Sequence, residues 1–259
     1  MPVGRNRGHC SPLNTLLISD LHLSPERPLV TVAFLDFLAR QASQCEALYI
    51  LGDLFEAWIG DDDPAPLARQ VITALKAFSN SGPQLYFLHG NRDFAIGKRF
   101  AKETGCTLLD EYHVADFYGN KVLLLHGDTL CTEDREYQRA RRFIRNPFLL
   151  ALMTRLPLKT RQQIAIRGRA KSLASTNKKA DYIMDVSQAA VCEALNAYQV
   201  DTMIHGHTHR PADHEVNLDS TKADLGNNQA RRIVLGDWHD RGWFVAVSPD
   251  KKELCSFAL

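Results

Sequence analysis

Leu48-Tyr-Ile-Leu-Gly-Asp-Leu-Phe-Glu-Ala-Trp-Ile-Gly-Asp-Asp-Asp63 opens as a short apolar run, Ala47 to Leu51, breaks at Gly52 and presents a carboxylate at Asp53. A run of that length and composition predicts a parallel strand buried on both faces. In open α/β sheets ligands gather beyond the carboxyl ends of the strands, so Asp53 stands where chemistry is expected. One Gly-Asp after a strand is also an ordinary turn. The arrangement, however, recurs four more times. Leu16-Leu-Ile-Ser-Asp20-Leu-His22 ends in D-x-H, and Leu85-Tyr-Phe-Leu-His-Gly-Asn91-Arg92-Asp93 ends in GNRD. Val122-Leu-Leu-Leu-His126-Gly-Asp128 ends in HGD, and Thr202-Met-Ile-His205-Gly-His207-Thr-His209-Arg210 ends in GHTH.

Outward from these runs, the chain begins as strand–helix units. Apolar spacing predicts helices from about Val30 to Ala42 and from Pro64 or Pro66 to Phe78, then a third over Phe94 to Thr104. Tyr112 to Phe117 and Lys121 to Leu125, flanking Gly119-Asn120, read as a hairpin, so antiparallel pairs join the parallel ones. Thr202 to Ile204, His214 to Leu218, Arg231 to Leu235 and Trp243 to Ser248 read as further strands. With 259 residues, 45% hydrophobic and 24% charged, this is one domain of α/β type with an insertion and a full core. Six cysteines without a CxxC pair read as reduced thiols. The polar, basic stretch Met1 to Asn14 reads as a solvated extension, and the apolar run after it is too short for a signal peptide or a membrane span.

The insertion runs from about Glu133 to Gln199 and shows no strand pattern. Its middle, Arg135 to Lys179, carries 13 Lys and Arg against one acid, Glu136. The chain has 31 basic and 30 acidic residues, which leaves 18 against 29 elsewhere, a net of −11 hidden under an overall +1. Aliphatic and aromatic residues such as Phe143, Phe148, Leu152 and Ile166 alternate with the basic ones. A basic, apolar helical segment suits a membrane surface, an anionic lipid or nucleic acid; the plainer alternative is a solvated basic face over an internal contact.

The strand ends together supply Asp20, His22, Asp53, Asn91, His126, His207 and His209, hard oxygen and imidazole donors without a thiolate. Any one of them alone would be read as a cap or turn residue. As a set they suit Mn²⁺, with Fe²⁺ and Zn²⁺ as the other candidates. Seven donors exceed one ion's need, and two ions about 3.5–4 Å apart form the usual clamp for in-line attack on phosphorus. Asp53 is the natural bridge. Asp93, Asp128 and Asp237 are expected to orient the ligating histidines, His89 and His205 to be turn or supporting residues, and Asp61 to Asp63 a solvated loop or helix start.

These five motifs resemble those of the calcineurin-like metallophosphoesterases. The resemblance implies two mixed β-sheets packed face to face and flanked by helices. It implies that Asp20, His22, Asp53 and His209 hold one metal, and Asp53, Asn91, His126 and His207 the other. SDLHLS, YILGDLFEAWIGDDD, HGNRDFAIGKRF, LLHGDTLCT and IHGHTHRP are similar nearly word for word to one branch, the UDP-2,3-diacylglucosamine diphosphatases of lipid A synthesis. That implies hydrolysis of a pyrophosphate in a UDP-linked diacylated glucosamine glycolipid, with attack of metal-activated water on the α-phosphorus. UMP and the sugar 1-phosphate are the products. It implies Mn²⁺, a peripheral place on the cytoplasmic face of the inner membrane, and an insertion that covers acyl chains and head group. Asp53, Asn91, Arg92 and His126 are the implied catalytic residues. Asn91, Arg92, Asp134, Ser172, Thr176, Lys179 and His207 are the implied substrate contacts, with Thr176 a departure where asparagine is expected.

Arg92 supports a pyrophosphate substrate on its own account. Many enzymes of this superfamily carry a histidine there, able to protonate an alkoxide leaving group. Arginine cannot give up its proton at neutral pH, but it grips phosphate oxygens through two N–H groups. A departing phosphate ester, with a second pKa of about 6, needs no acid. The alternative is a metal-dependent phosphodiesterase on nucleotides or nucleic acid, using the insertion as a phosphate track; the insertion's shortage of aromatics for base stacking counts against it. A scaffold without activity is disfavoured because all seven donors and Arg92 are present. We expect a monomer with no nucleic-acid partner.

Overall fold

The computed structural model describes residues 14–176, 185–218 and 229–259, with side chains 171–176 not described. Lys179, the side chains of Ser172 and Thr176, and the extension before residue 14 therefore lie outside the described residues.

Two mixed sheets carry the fold. In the first, β1 (Asn14–Ile18), β2 (Cys45–Ile50), β3 (Gln84–Phe87) and β4 (Thr107–Leu108) run parallel. β10 (Arg241–Val247) and β11 (Lys252–Ala258) complete its antiparallel edge, in the order β11-β10-β1-β2-β3-β4. The second sheet orders β5 (Tyr112–Phe117), β6 (Asn120–Leu125), β7 (Thr202–His205), β9 (Gln229–Val234) and β8 (Ala212–Asn217) as β5-β6-β7-β9-β8. Its centre, β6-β7-β9, is parallel and its edges are antiparallel.

The apolar runs are continuous because strand side chains alternate between two buried faces. Leu17, Tyr49, Leu51, Leu124, Ile204 and Ile233 fill the layer between the sheets. Leu16, Ile18, Leu48 and Ile50 point the other way, against α1 (Pro28–Gln41), α2 (Pro66–Asn80) and α3 (Lys98–Thr104), together with Trp238. Leu123 and Leu125 cover the outer face of the second sheet with Val191 and Leu195 of α7 (Gln188–Tyr198). This is the face-to-face sandwich that the motifs led us to expect.

Three local expectations are corrected. The third helix begins at Lys98, not Phe94, because residues 93–97 turn to present the GNRD loop. Its first turn is capped from a distance, as Gly97, Arg99 and Phe100 donate backbone N–H groups to the Asp61 carboxylate. Asp61 is thus a cap that the chain folds onto α3. The hairpin turns at Tyr118-Gly119, both with positive φ, and Asn120 already belongs to β6. The short β4 and the terminal β11 carried no sequence signal strong enough to name them; both lie at sheet edges.

Within the insertion lie α4 (Arg135–Ile144), α5 (Pro147–Met153) and α6 (Leu158–Thr176), then α7, whose Val191 and Leu195 are fully buried. Several of the insertion's basic residues are used internally. Arg141 and Arg145 pair with Asp128 and Glu111, Arg161 pairs with Asp62, and Arg169 with Glu56. The insertion's charge is thus divided between internal ion pairs and open surface. Arg135, Arg139, Arg142, Arg155, Lys159 and Arg167 are exposed, as are Phe143, Phe148, Leu152 and Ile166.

Candidate metal centre

All five strand ends arrive at one place. β1, β2 and β3 of the first sheet and β6 and β7 of the second end on the same side of the sandwich, and backbone hydrogen bonds lace their loops together. Asp20 N–H donates to Gly52 O, His22 N–H to Asp53 O and Gly206 N–H to His126 O. The lacing requires unusual backbone. Seven non-glycine residues have positive φ among the described residues, and five of them are Asp20, His22, Asp53, His207 and His209. Each such left-handed residue costs on the order of 1–3 kcal/mol and persists only where its surroundings over-determine it.

The side chains converge in two groups. His22 Nε2 lies 3.1 Å from His209 Nε2, and Asp20 Oδ1 lies 3.5 Å from His209 Nε2. Asp53 Oδ2 stands between the groups, 3.8 Å from His22 Nε2 and 3.7 Å from His126 Nε2. The amide oxygen of Asn91 lies 2.9 Å from both His126 Nε2 and His207 Nδ1. The structure thus brings together Asp20, His22, Asp53, Asn91, His126, His207 and His209.

A cation fits these donors. The Nδ1 atoms of His22 and His209 face Glu56 and Asp237, at 3.1 Å and 3.8 Å. The two Nε2 atoms face each other at one point where a positive charge is shared, as the proton favoured on His209 or as a bound cation. His126 Nδ1 donates to Leu51 O at 2.9 Å, which likewise frees its Nε2. Asp20 Oδ1 is buried and accepts no hydrogen bond from the described residues. Asp20, His22 and His209 form one triad of potential ligand atoms, and Asp20, Asp53 and His126 another.

The electrostatics follow from burial among opposite charges. Burial opposes ionisation of Asp20, yet His209, His126 and His22 hold its carboxyl far below the usual range. Burial opposes the charged form of His209, but Asp20, Asp237 and Asp53 push it up to about 9. Burial, reinforced by His126, lowers His207 to about 4. His205 is lowered to about 3 by burial and by Arg232, so it is neutral. Its Nδ1 donates to Gly206 O at 2.8 Å while Arg232 donates to its Nε2 at 3.3 Å, which pins the loop before His207.

Two carboxylates do a different job from the one expected. Among the described residues Asp93 has no hydrogen bond or ion pair with a histidine; it accepts the N–H groups of Leu54 and Gly90, both at 2.8 Å, and fastens the loops carrying Asp53 and Asn91. Burial and the neighbouring Asp53 raise it to about 7. Asp128 accepts from Tyr137 Oη at 2.6 Å and Arg141 Nε at 2.7 Å, and so ties α4 to the HGD loop. Asp237 does face His209, as expected. Asp134 caps α4 by accepting from Tyr137 N–H at 3.0 Å, and His89 lies 2.7 Å from Ile96 O. Arg92 donates its backbone N–H to Asp53 Oδ1 at 2.8 Å, while its Nε is buried without a partner among the described residues.

A model of the calcineurin-like phosphoesterase family matches residues 13–211. The chain belongs to the calcineurin-like phosphoesterases. Curated relatives match this phosphoesterase almost end to end. It is 54% identical over 243 residues to the UDP-2,3-diacylglucosamine hydrolase of Pectobacterium carotovorum subsp. carotovorum (strain PC1), covering 94% of this chain and 98% of that one. It is 52% identical over 245 residues to the protein of that name from Serratia proteamaculans (strain 568), covering 95% and 99%. With the Escherichia coli O7:K1 (strain IAI39 / ExPEC) protein of that name, identity is 54% over 244 residues, covering 94% and 98%. Family membership makes it a hydrolase whose converging donors form a candidate dinuclear metal centre.

Sequence reasoning missed Glu56, Arg145 and Arg232. Nothing in local spacing separates Glu56 from an exposed loop acid, and Arg145 reaches Gly90 O at 2.8 Å only because α4 folds back over the site. Close packing also explains the glycines. A Cβ on Gly206 would overlap Asp20 Oδ2 and Ser19 Oγ. Gly206→Ala is therefore expected to cost about 1–3 kcal/mol, as overpacking does, and to lower Tm by several degrees in a thermal melt. An unchanged melt would mean that the loop yields without strain.

Proposed function

We propose that this phosphoesterase cleaves the pyrophosphate of UDP-2,3-diacylglucosamine, releasing UMP and 2,3-diacylglucosamine 1-phosphate, a step of lipid A biosynthesis. The observation that carries this reading is the near-complete match to UDP-2,3-diacylglucosamine hydrolases. The site geometry agrees with it. Asp20, His22, Asp53 and His209 would hold one ion, and Asp53, Asn91, His126 and His207 the other. Mn²⁺ is the ion their carboxylate, amide and imidazole donors suit. Two such ions supply Lewis acidity to phosphoryl oxygens and lower the pKa of water.

The chain's own groups do the rest. Arg92 stands beside Asp53 with a buried guanidinium N–H that has no partner among the described residues, ready to hold a phosphate oxygen and neutralise charge on the departing phosphate. Asn91 and His207 are carried over as substrate contacts at the same spot. Asp134, Ser172, Thr176 and Lys179 are assigned to the head group and phosphates, on the strength of the motif resemblance alone. The 133–199 insertion acts as a cap. Its exposed Phe143, Phe148, Leu152 and Ile166 offer cover for acyl chains, and its exposed arginines suit an anionic surface. Among the described residues no helix is long and apolar enough to cross a membrane. We infer a monomer associated peripherally with the cytoplasmic face of the inner membrane.

The test is mass spectrometry of the products formed from UDP-diacylglucosamine with Mn²⁺ present. UMP and the acylated sugar 1-phosphate are expected; UDP and free sugar would refute the reading. Arg92→Ala is expected to lower kcat/KM by roughly 10²-fold, the scale of one lost transition-state contact. Arg92→His should not restore it, since no proton donor is missing. Full rescue by histidine would overturn the leaving-group argument.

A further inference from the structure

Glu56 lies three residues beyond Asp53, and its backbone is fixed against the D-x-H loop. Glu56 N–H donates to Leu23 O at 3.1 Å, and Leu23 N–H donates to Leu54 O at 2.9 Å. From that position its Oε2 faces His22 Nδ1 at 3.1 Å. The pair is within ion-pair distance without hydrogen-bond alignment in this structure, and a small turn of the Glu56 carboxylate would let it accept an Nδ1 proton and leave Nε2 to Asp20, Asp53 and His209, the arrangement that raises a histidine's ligand strength. The other oxygen of Glu56 is paired with Arg169, which comes from α6 of the cap. The same helix grips the same loop a second time. Arg161, 3% exposed, donates to Ile59 O and Asp62 Oδ1, each at 2.7 Å. The loop from Asp53 to Asp63 therefore runs from the metal centre to the cap, and one side-chain chain, Arg169–Glu56–His22, spans it.

We propose that Glu56 and Arg169 are positioning residues which couple the seating of α6 to the affinity of the site containing His22. With the cap seated, Arg169 holds Glu56 against His22 and the ligand is aligned. With Arg169 withdrawn, Glu56 is free to turn to solvent and the His22 ring loses its orientation. Linkage makes the effect reciprocal: an ion at His22 must also stabilise the seated cap. The inference rests on the proposed role of His22 as a ligand.

The experiment is a calorimetric Mn²⁺ titration of the metal-stripped full chain, run on the parent, Glu56→Gln, Arg169→Met and His22→Ala, with amide exchange of α6 followed in parallel. Glu56→Gln is expected to weaken one of the two sites about 10–100-fold, the usual effect of losing a partner to a ligating histidine. Arg169→Met, which keeps the apolar stem, is expected to weaken the same site about fivefold or more. Mn²⁺ should slow exchange in residues 158–170 of the parent and not of Arg169→Met. Parental affinity in Glu56→Gln would refute the positioning role. Parental affinity or retained Mn²⁺-dependent protection in Arg169→Met would refute the coupling. If instead His22→Ala bound Mn²⁺ as the parent does, the ligand assignment itself would fail, and the link with it.

Discussion

Asp53→Asn is expected to lower turnover by about 10³-fold or more, beyond the cost of a single lost electrostatic contact, because one carboxylate faces both groups of donors. Asparagine is the informative substitution. It tolerates the left-handed backbone that Asp53 adopts, with φ of 53°, and its amide oxygen can still accept the Arg92 N–H. Removing the charge also relieves repulsion with buried Asp93, which Asp53 helps raise to about 7. The fold should therefore survive while the bridge is lost. Atomic absorption and a thermal melt on the purified variant separate these outcomes. Full metal content with near-parental turnover would remove Asp53 from its place as the bridge.

The second large effect concerns the acyl chains. UDP-N-acetylglucosamine offers the same pyrophosphate to the same donors but nothing for the cap to cover. Each CH₂ withdrawn from water contributes about 0.8 kcal/mol, so shelter for only five or six methylenes is worth about 10³-fold in kcat/KM. Part of that binding should go into placing the α-phosphorus, so the truncated substrate should lose kcat as well as affinity. The exposed rings of Phe143 and Phe148 and the side chains of Leu152 and Ile166 make the cap the candidate surface for this. The measurement is kcat/KM for both substrates at one Mn²⁺ concentration. Equal values would mean that the cap reads no lipid and would favour a nucleotide phosphodiesterase.

These expectations draw on the sequence and the structure unequally. The five strand-end motifs were legible because each is local. An apolar run must be buried on both faces, and a carboxylate, amide or imidazole placed just past it must emerge at the strand's end. The recurrence of that pattern from Asp20 to His209 names the seven donors, the resemblance those motifs carry implies the two-sheet sandwich, and the absence of a strand pattern from Glu133 to Gln199 marks the helical insertion. Short edge strands such as β4, and α3's late start at Lys98, escaped because a neighbouring strand and a distant cap at Asp61 decide them.

What only the tertiary structure decided is which charges meet. Spacing along the chain says nothing about whether an arginine 113 residues beyond Glu56 will pair with it, and Arg169 does. The same holds for Asp93 and Asp128, which sequence placed beside histidines and packing placed on backbone N–H groups and on α4. Nor could sequence divide the insertion's positive charge between internal ion pairs and open surface. A buried charge must find a partner, and three-dimensional proximity alone determines which partner is within reach.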